Sequence, residues 1–285
     1  MVDLLQPLVG GLAIGSTYAL LAMGFNIMFY TTESLNFAHG DLMLLGALIA
    51  LFLSTSLGIN LVLVFIIVFF FIGALGILIQ RVAVQPVAQL RSIGWIMSTV
   101  GVGIILKNTN ILIWGSAEKR LPAPFGDDVI HVLGIGIYPQ EIFIICAAFC
   151  LMILVEIFLK KNIVGKALDA VGFDREAARL MGINAGLMVL LAWGLSSGLA
   201  GVAGILIAPV AYINVHLGVY WGVKAFSAAI IGGIDKPLGG FLGGLLLGVA
   251  ENMAAYWHSA LRDIVTFVII IFFLCLKPSG LMGKG

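Results

Sequence analysis

The sequence predicts an all-α, polytopic membrane protein of about eight transmembrane helices, with broken or re-entrant segments and an internal duplication. Three observations predict it. Of 285 residues, 61% are hydrophobic and only 10% are charged, where a soluble domain carries roughly a quarter charged residues, and the mean hydropathy is +1.16. The apolar residues run in blocks near the ~20 residues that a helix needs to cross the hydrocarbon core. The charges are concentrated instead of spread, with eight of them inside residues 160–184. A net charge of +1 gives no basis for nucleic-acid binding. The apolar stretch at the N-terminus has no basic residue before it and runs on past Phe29, unlike a cleavable signal. Cys146, Cys150 and Cys275 sit in apolar runs at spacings that suggest packing, with neither a metal site nor a disulfide framework.

Taken in order, the first span covers about 8–29, where Gly11 and Gly15 form a small-xxx-small face for close helix packing. A polar interruption, TTESLNFAHGD at 31–41, precedes an apolar segment at 42–53 that is short for a full crossing. The third element, 61–79, is very apolar and ends at Arg81 and a turn holding Pro86 and Arg91. A fourth span at about 93–114 becomes polar in its second half through Lys107, Asn108 and Asn110, which places that half near a surface or a pore. The loop 115–138 carries Glu118, Asp127 and Asp128 against Lys119 and Arg120, and a fifth span, 139–159, leads into the polar island. After it, 187–210 is lined by Gly194, Gly198, Gly201 and Gly204. A short apolar piece, 226–234, breaks at Asp235, Lys236 and Pro237. The next, 238–251, carries Gly239 and Gly243, with Gly240, Gly244 and Gly248 at four-residue spacing. The last span covers about 263–276.

Lys and Arg in short loops mark the cytoplasmic side. The island holds five of the fifteen, Arg81 and Arg91 flank one turn, and Lys277 and Lys284 follow the last span. These places are mutually consistent when spans three and five end inside, span four returns outward, and the acidic loop 115–138 lies outside. By parity, 226–256 starts and finishes outside, so its helix, break and second helix read as a re-entrant or broken pair, which is tolerated where protein or a water-filled cavity covers the backbone. If 42–53 also turns back, the N-terminus is inside; if it spans, the N-terminus is outside.

The island, 160–184, reads KKNIVGKALDAVGFDREAARLMGIN and has helix grammar. Asp174 suits an N-cap and Gly182 a stop. Ala177, Leu180 and Met181 share one face, and Glu176 and Arg179 are spaced to pair on another. Such a short exposed helix fits a groove on a partner; on pattern alone, a solvated loop fits as well. There is no G-x-x-x-x-G-K-[S/T], H-E-x-x-H or G-x-S-x-G. The four histidines are scattered and read as packed or interfacial. Glu156 reads as interfacial, and Asp41 and Asp235 as caps of half-helices. Glu251 reads as lining a cavity or pairing with Lys224 or Arg262. No chain of midplane carboxylates suitable for ion coupling is apparent.

Three stretches carry a resemblance: SLNFAHGDLMLLGA at 34–47, GFDREAARLMGIN at 172–184 and AAIIGGIDKPLGGFLGGLLLGVAEN at 228–252. In this order they resemble the branched-chain amino acid permeases of ATP-binding cassette (ABC) transporters, in particular the smaller, high-affinity permease subunit type. The segment Ile-Asp-Lys-Pro departs from the more neutral turn expected there. The resemblance implies a single permease domain over 1–285, with 160–184 as its cytoplasmic coupling loop, in the cytoplasmic (inner) membrane of a bacterium or archaeon. It implies no enzyme activity and no cofactor in this chain, since ATP and Mg would be held by cytoplasmic ATPase subunits. The other implied partners are a homologous second permease, an extracytoplasmic substrate-binding protein and membrane lipid. Gly172, Asp174, Arg175, Glu176, Ala177, Ala178, Arg179, Leu180 and Gly182 would couple to the ATPases, with Ala177 and Ala178 small enough for close approach. Asn36, Phe37, Ala38, His39 and Gly40 would shape the translocation path. Relatives that move urea or short amides share the signature and leave the substrate open. An ion-coupled carrier would need midplane carboxylates, and a channel would need repeated polar rings.

Overall fold

The computed structural model describes residues 2–88, 94–126, 128–132 and 135–283; Arg91, Asp127 and Lys284 lie outside them. Among the described residues the regular structure is helix, apart from one small hairpin. The helices are α1 (Val2–Thr32), α2 (His39–Leu51), α3 (Leu61–Ile79), α4 (Gln85–Ala88), α5 (Gly94–Trp114), α6 (Pro139–Lys161), α7 (Ile163–Phe173), α8 (Arg175–Leu180), α9 (Ala185–Ile207), α10 (Leu217–Gly232), α11 (Pro237–Trp257) and α12 (Leu261–Leu276). Strands β1 (Ile130–Val132) and β2 (Ile135–Ile137) pair antiparallel. Seven helical segments are long and apolar enough to cross a membrane, and α10 is a shorter apolar helix. A polytopic all-α membrane protein is therefore what the chain forms.

Two elements run further than their apolar runs suggest. A wide turn at Phe52–Ser56 lengthens the 42–53 segment into a crossing, His39–Ser56. Another at Gln80–Val84 carries α3 past Arg81 to Val87, so Pro86 falls inside a continued helix instead of ending it. A π-type turn absorbs the kink that proline imposes.

Glycine sets how closely the helices approach. α11 lies antiparallel along α1: Gly240 faces Ala22 and Asn26, Gly244 faces Ala19, and Gly248 meets Gly11 and Gly15. The other two glycines of α11, Gly239 and Gly243, face α10 at Gly232 and Ala228. α9 crosses α3 through Gly194, Gly198 and Gly201, and α2 meets α9 where Gly46 lies on Gly201. A β-carbon on Gly46 would sit 2.6 Å from the Gly201 Cα, so the contact is backbone on backbone.

The two ends of the bundle differ. At one end Tyr30, closing α1, donates to Asp169 Oδ1 of α7 (3.0 Å), and the end of α10 meets the C-terminal tail through Leu281 N–H to Ile231 O and Met282 N–H to Gly232 O. At the other end the 115–138 loop docks on the end of α9, through Lys119 paired with Ile213 and Arg120 donating to Pro209 O (2.7 Å). With the basic island cytoplasmic, α1 runs inward and begins outside, and α2 spans. The break between α10 and α11 lies level with the island, so the pair is broken at the cytoplasmic face, not re-entrant at mid-depth. Asp235 caps nothing there: α11 starts at Pro237 with no side-chain cap. Instead Asn26 Nδ2 holds the turn, donating to Gly233 O (2.9 Å) and Lys236 O (2.6 Å).

Glu251, wholly buried, accepts from Lys224 Nζ (3.0 Å) and Tyr18 (3.1 Å), and Thr266 also donates to it. Lys224 reaches Asp263 Oδ1 as well (3.0 Å), and Arg262 Nε stands 4.0 Å from Glu251. α1, α10, α11 and α12 are tied at one point. Glu156 pairs with Lys160 at 2.8 Å near the surface. The three cysteines face outward from the bundle instead of packing within it.

Candidate functional sites: the island surface and a charged cavity

The island contains two helices where the sequence suggested one. Asn162 caps α7, its Oδ1 accepting from Val164 N–H (2.9 Å), and Gly165, Leu168 and Val171 turn inward at three-residue spacing. Gly172 belongs to this inner contact: a side chain there would collide with the Tyr30 ring. Asp174 then caps α8, with Oδ1 accepting from Glu176 N–H and Ala177 N–H, each 2.9 Å. α8 ends in a Schellman arrangement: Gly182, at φ +83°, donates to Arg179 O and Ile183 donates to Ala178 O, each 3.0 Å. Both cap and stop stand where the sequence placed them.

The outer surface of α8 is apolar at its centre. Phe173, Leu180 and Met181 are 85%, 90% and 84% exposed, and Ala177 is open beside them. Asp174, Arg175, Glu176, Arg179 and Gly182 surround them, exposed. Ala178 departs from expectation: it is buried against its own chain and offers no surface to a partner. Among the described residues Glu176 and Arg179 form no ion pair with each other; both project outward instead.

The second site is a cavity of about 270 Å³ lined by Phe25, Leu35, Phe37, Asp41 and residues of α5 and α10. It exists because the chain is not helical between α1 and α2. Asn36 turns that stretch, its Oδ1 accepting from Ala38 N–H (3.0 Å), so α2 begins inside the bundle with His39 on Gly24 and Phe25. Of the five path residues read from the sequence, only Phe37 lines the cavity, between Trp95 (6.4 Å) and Phe226 (6.3 Å). Asn36, Ala38 and His39 are buried behind it, and Gly40 is the crossing point with Gly218 and Gly222 of α10.

Sequence reasoning missed Asp41. Read as a cap, it makes no capping hydrogen bond in α2. It is 3% exposed, and its Oδ1 has no hydrogen-bond partner. Lys107 of α5 faces the same cavity. The signal available beforehand was the polar second half of the fourth span. Among the described residues no cluster of His, Cys, Asp and Glu is arranged to hold a metal ion.

Helices long and apolar enough to cross a membrane, buried polar groups at a non-helical break and a cavity between helices with partly exposed walls fit an integral-membrane transport protein. The sequence profile described as "Branched-chain amino acid transport system / permease component" matches residues 8–274, and the chain belongs to that family. It is 33% identical to the high-affinity branched-chain amino acid transport system permease protein BraD of Pseudomonas aeruginosa, covering 98% of this chain and 96% of that one. It is 31% identical to LivH of Escherichia coli K12, covering 98% and 96%. The probable branched-chain amino acid transport permease protein LivH of Methanocaldococcus jannaschii is 28% identical over 97% and 91%. Among solved structures, PsaBC from Streptococcus pneumoniae in complex with Fab shares the fold, with a TM-score of 0.51, 14% identity, and 95% and 91% of the chains covered. The chain is a multi-pass inner-membrane permease.

Proposed function

We propose that this chain is the transmembrane permease subunit of an ABC importer that moves branched-chain or related amino acids into the cytoplasm, driven by ATP hydrolysis in separate subunits. On this reading 1–285 is one permease domain and 160–184 its coupling loop. Two cytoplasmic ATPase subunits, which hold ATP and Mg, dock on α8. A homologous second permease completes the membrane unit, and an extracytoplasmic binding protein delivers substrate outside.

The observation that carries the reading is the α8 surface. A capped six-residue helix presents Leu180 and Met181 to solvent at the basic end of the bundle. Exposed apolar side chains ringed by charge mark a docking surface. The same helix reaches the bundle through Ala178 and the α7–Tyr30 contact, so a push on α8 is transmitted to α1 and α9. The relatives' names, all transport permeases, support the substrate class. Urea and short amides remain the alternative substrates.

The test is co-purification with the neighbouring ATPase subunits. The wild-type protein retains them, and Glu176→Lys loses them while still inserting into the membrane. Equal ATPase recovery in both refutes the docking assignment.

A further inference from the structure

Asp41 and Lys107 face one apolar cavity from different helices, and neither is used by the coupling surface. We infer that this cavity is a transit site for one zwitterionic aliphatic amino acid, its ammonium on Asp41 and its carboxylate on Lys107. The inference rests on the importer reading and gives its substrate a place.

Four observations carry it. First, the carboxylate is housed. Asp41 Oδ2 lies where Gly103 of α5 leaves room, and Oδ1 where Gly218 of α10 does; a β-carbon on either glycine would stand 2.8 Å from the oxygen. Second, it is unsatisfied: Oδ1 is buried without a partner. A buried ionisable group in a membrane is costly unless paired. A cation is the partner that would answer such an acid. Third, Lys107 lines the same cavity, yet among the described residues it forms no ion pair with Asp41. The two opposite charges are held apart across a space. Lys107 follows Gly103 by one turn of α5, about 6 Å further toward the outer end, so the ligand's carboxylate points outward and its ammonium inward.

Fourth, the walls between the charges are hydrocarbon: Phe37, Val100, Ile104, Val219, Val223 and Phe226. A volume of about 270 Å³ falls just below the range of sites for drug-sized ligands, so it suits one small molecule. A neutral amide or urea would leave both charges unanswered, and a sugar would find no matching donors along the walls. An amino acid with an aliphatic side chain answers all three features.

The experiment uses the full-length chain in lipid nanodiscs without a binding protein. Radiolabelled leucine is competed with 4-methylpentanoate, which lacks the amine, and with 3-methylbutylamine, which lacks the carboxylate. The wild-type protein prefers leucine to each at least ten-fold. Asp41→Asn loses the preference over 4-methylpentanoate and keeps that over 3-methylbutylamine; Lys107→Gln does the reverse. This crossed pattern is one that a general packing defect does not produce. Where Asp41→Asn does not fold, Lys107→Gln alone decides. Wild-type discrimination retained in the variants overturns the site, as does a wild-type chain with no saturable leucine binding. Uptake by the assembled transporter separates the two readings. Leucine uptake that continues despite a failed binding pattern removes the site and leaves the importer, whereas uptake of urea or acetamide in place of leucine removes the substrate assignment itself.

Discussion

Glu251→Ala is a severe single perturbation of the bundle that leaves its glycines intact. The carboxylate is fully buried and accepts from Lys224, Tyr18 and Thr266. Removing one partner of a buried ion pair costs about 3–5 kcal/mol, because the other charge is left uncompensated. Lys224 keeps Asp263 at 3.0 Å, but that carboxylate is 55% exposed and screened by its surroundings, so the lower end, about 3 kcal/mol, applies to the pair. The two hydroxyls lose their acceptor at about 1 kcal/mol each, which brings the total to about 5 kcal/mol. At roughly 2–4 °C per kcal/mol for a chain of this size, thermal unfolding of the detergent-purified protein, followed by tryptophan fluorescence, falls by on the order of 10–20 °C. The pair Glu251→Leu with Lys224→Met removes both charges, and replacing a buried pair by apolar groups is often close to neutral. The double variant therefore unfolds above Glu251→Ala. A Glu251→Ala protein within 1–2 °C of wild type, or a double variant whose loss equals the sum of the singles, would refute the claim that this network ties α10, α11 and α12 to α1.

Two further outcomes follow from particular contacts. Gly46→Val places side-chain atoms against the Gly201 backbone, 2.6 Å from its Cα at the β-carbon alone, and neither helix has a rotamer to yield; size-exclusion profiles of detergent extracts show loss of the monodisperse species, while Gly101→Ala, with open space around it, elutes as wild type. Asp174→Ala removes both capping bonds of α8 at about 1 kcal/mol; limited proteolysis near 172–182 speeds up while the thermal midpoint stays within about 2 °C, because α8 adds little to the core.

The legible features were those that depend on local spacing. Glycines four apart in α11 and α1 announce close helix contact, since only the periodicity of one helix is involved. Asp174 and Gly182 announce α8 because capping is settled within three residues on either side. Glu251 with Lys224 or Arg262 could be named because a buried acid needs a base and few were available. α7 was hidden for a tertiary reason. Its inward residues, Gly165, Leu168 and Val171, are few and lie among Lys160, Lys161, Lys166 and Asp169; what holds the helix down is Tyr30, far earlier in the chain, meeting Asp169 and Gly172.

Asp41 shows why a transit site is harder to read than a bundle. Its own neighbourhood offers a sufficient local account, an acid at the start of a helix, and nothing in 31–47 contradicts that. The local account fails only when α10 is laid across α2. Both helices begin beside one another, Gly40 on Gly218, and run to opposite ends of the bundle. That crossing, possible only between glycines, sets the carboxylate between Gly103 and Gly218, at the cavity that Lys107 also lines. The residues that let the helices meet are repeated and periodic, hence visible. The charged residues that meet because of them are single and come from different helices, hence silent until the packing is known. An unpartnered acid that lines the cavity beside a crossing of two short helices is therefore a stronger mark of the path than the polar sequence around it; His39, two residues before, is equally unpartnered but lies outside the cavity lining.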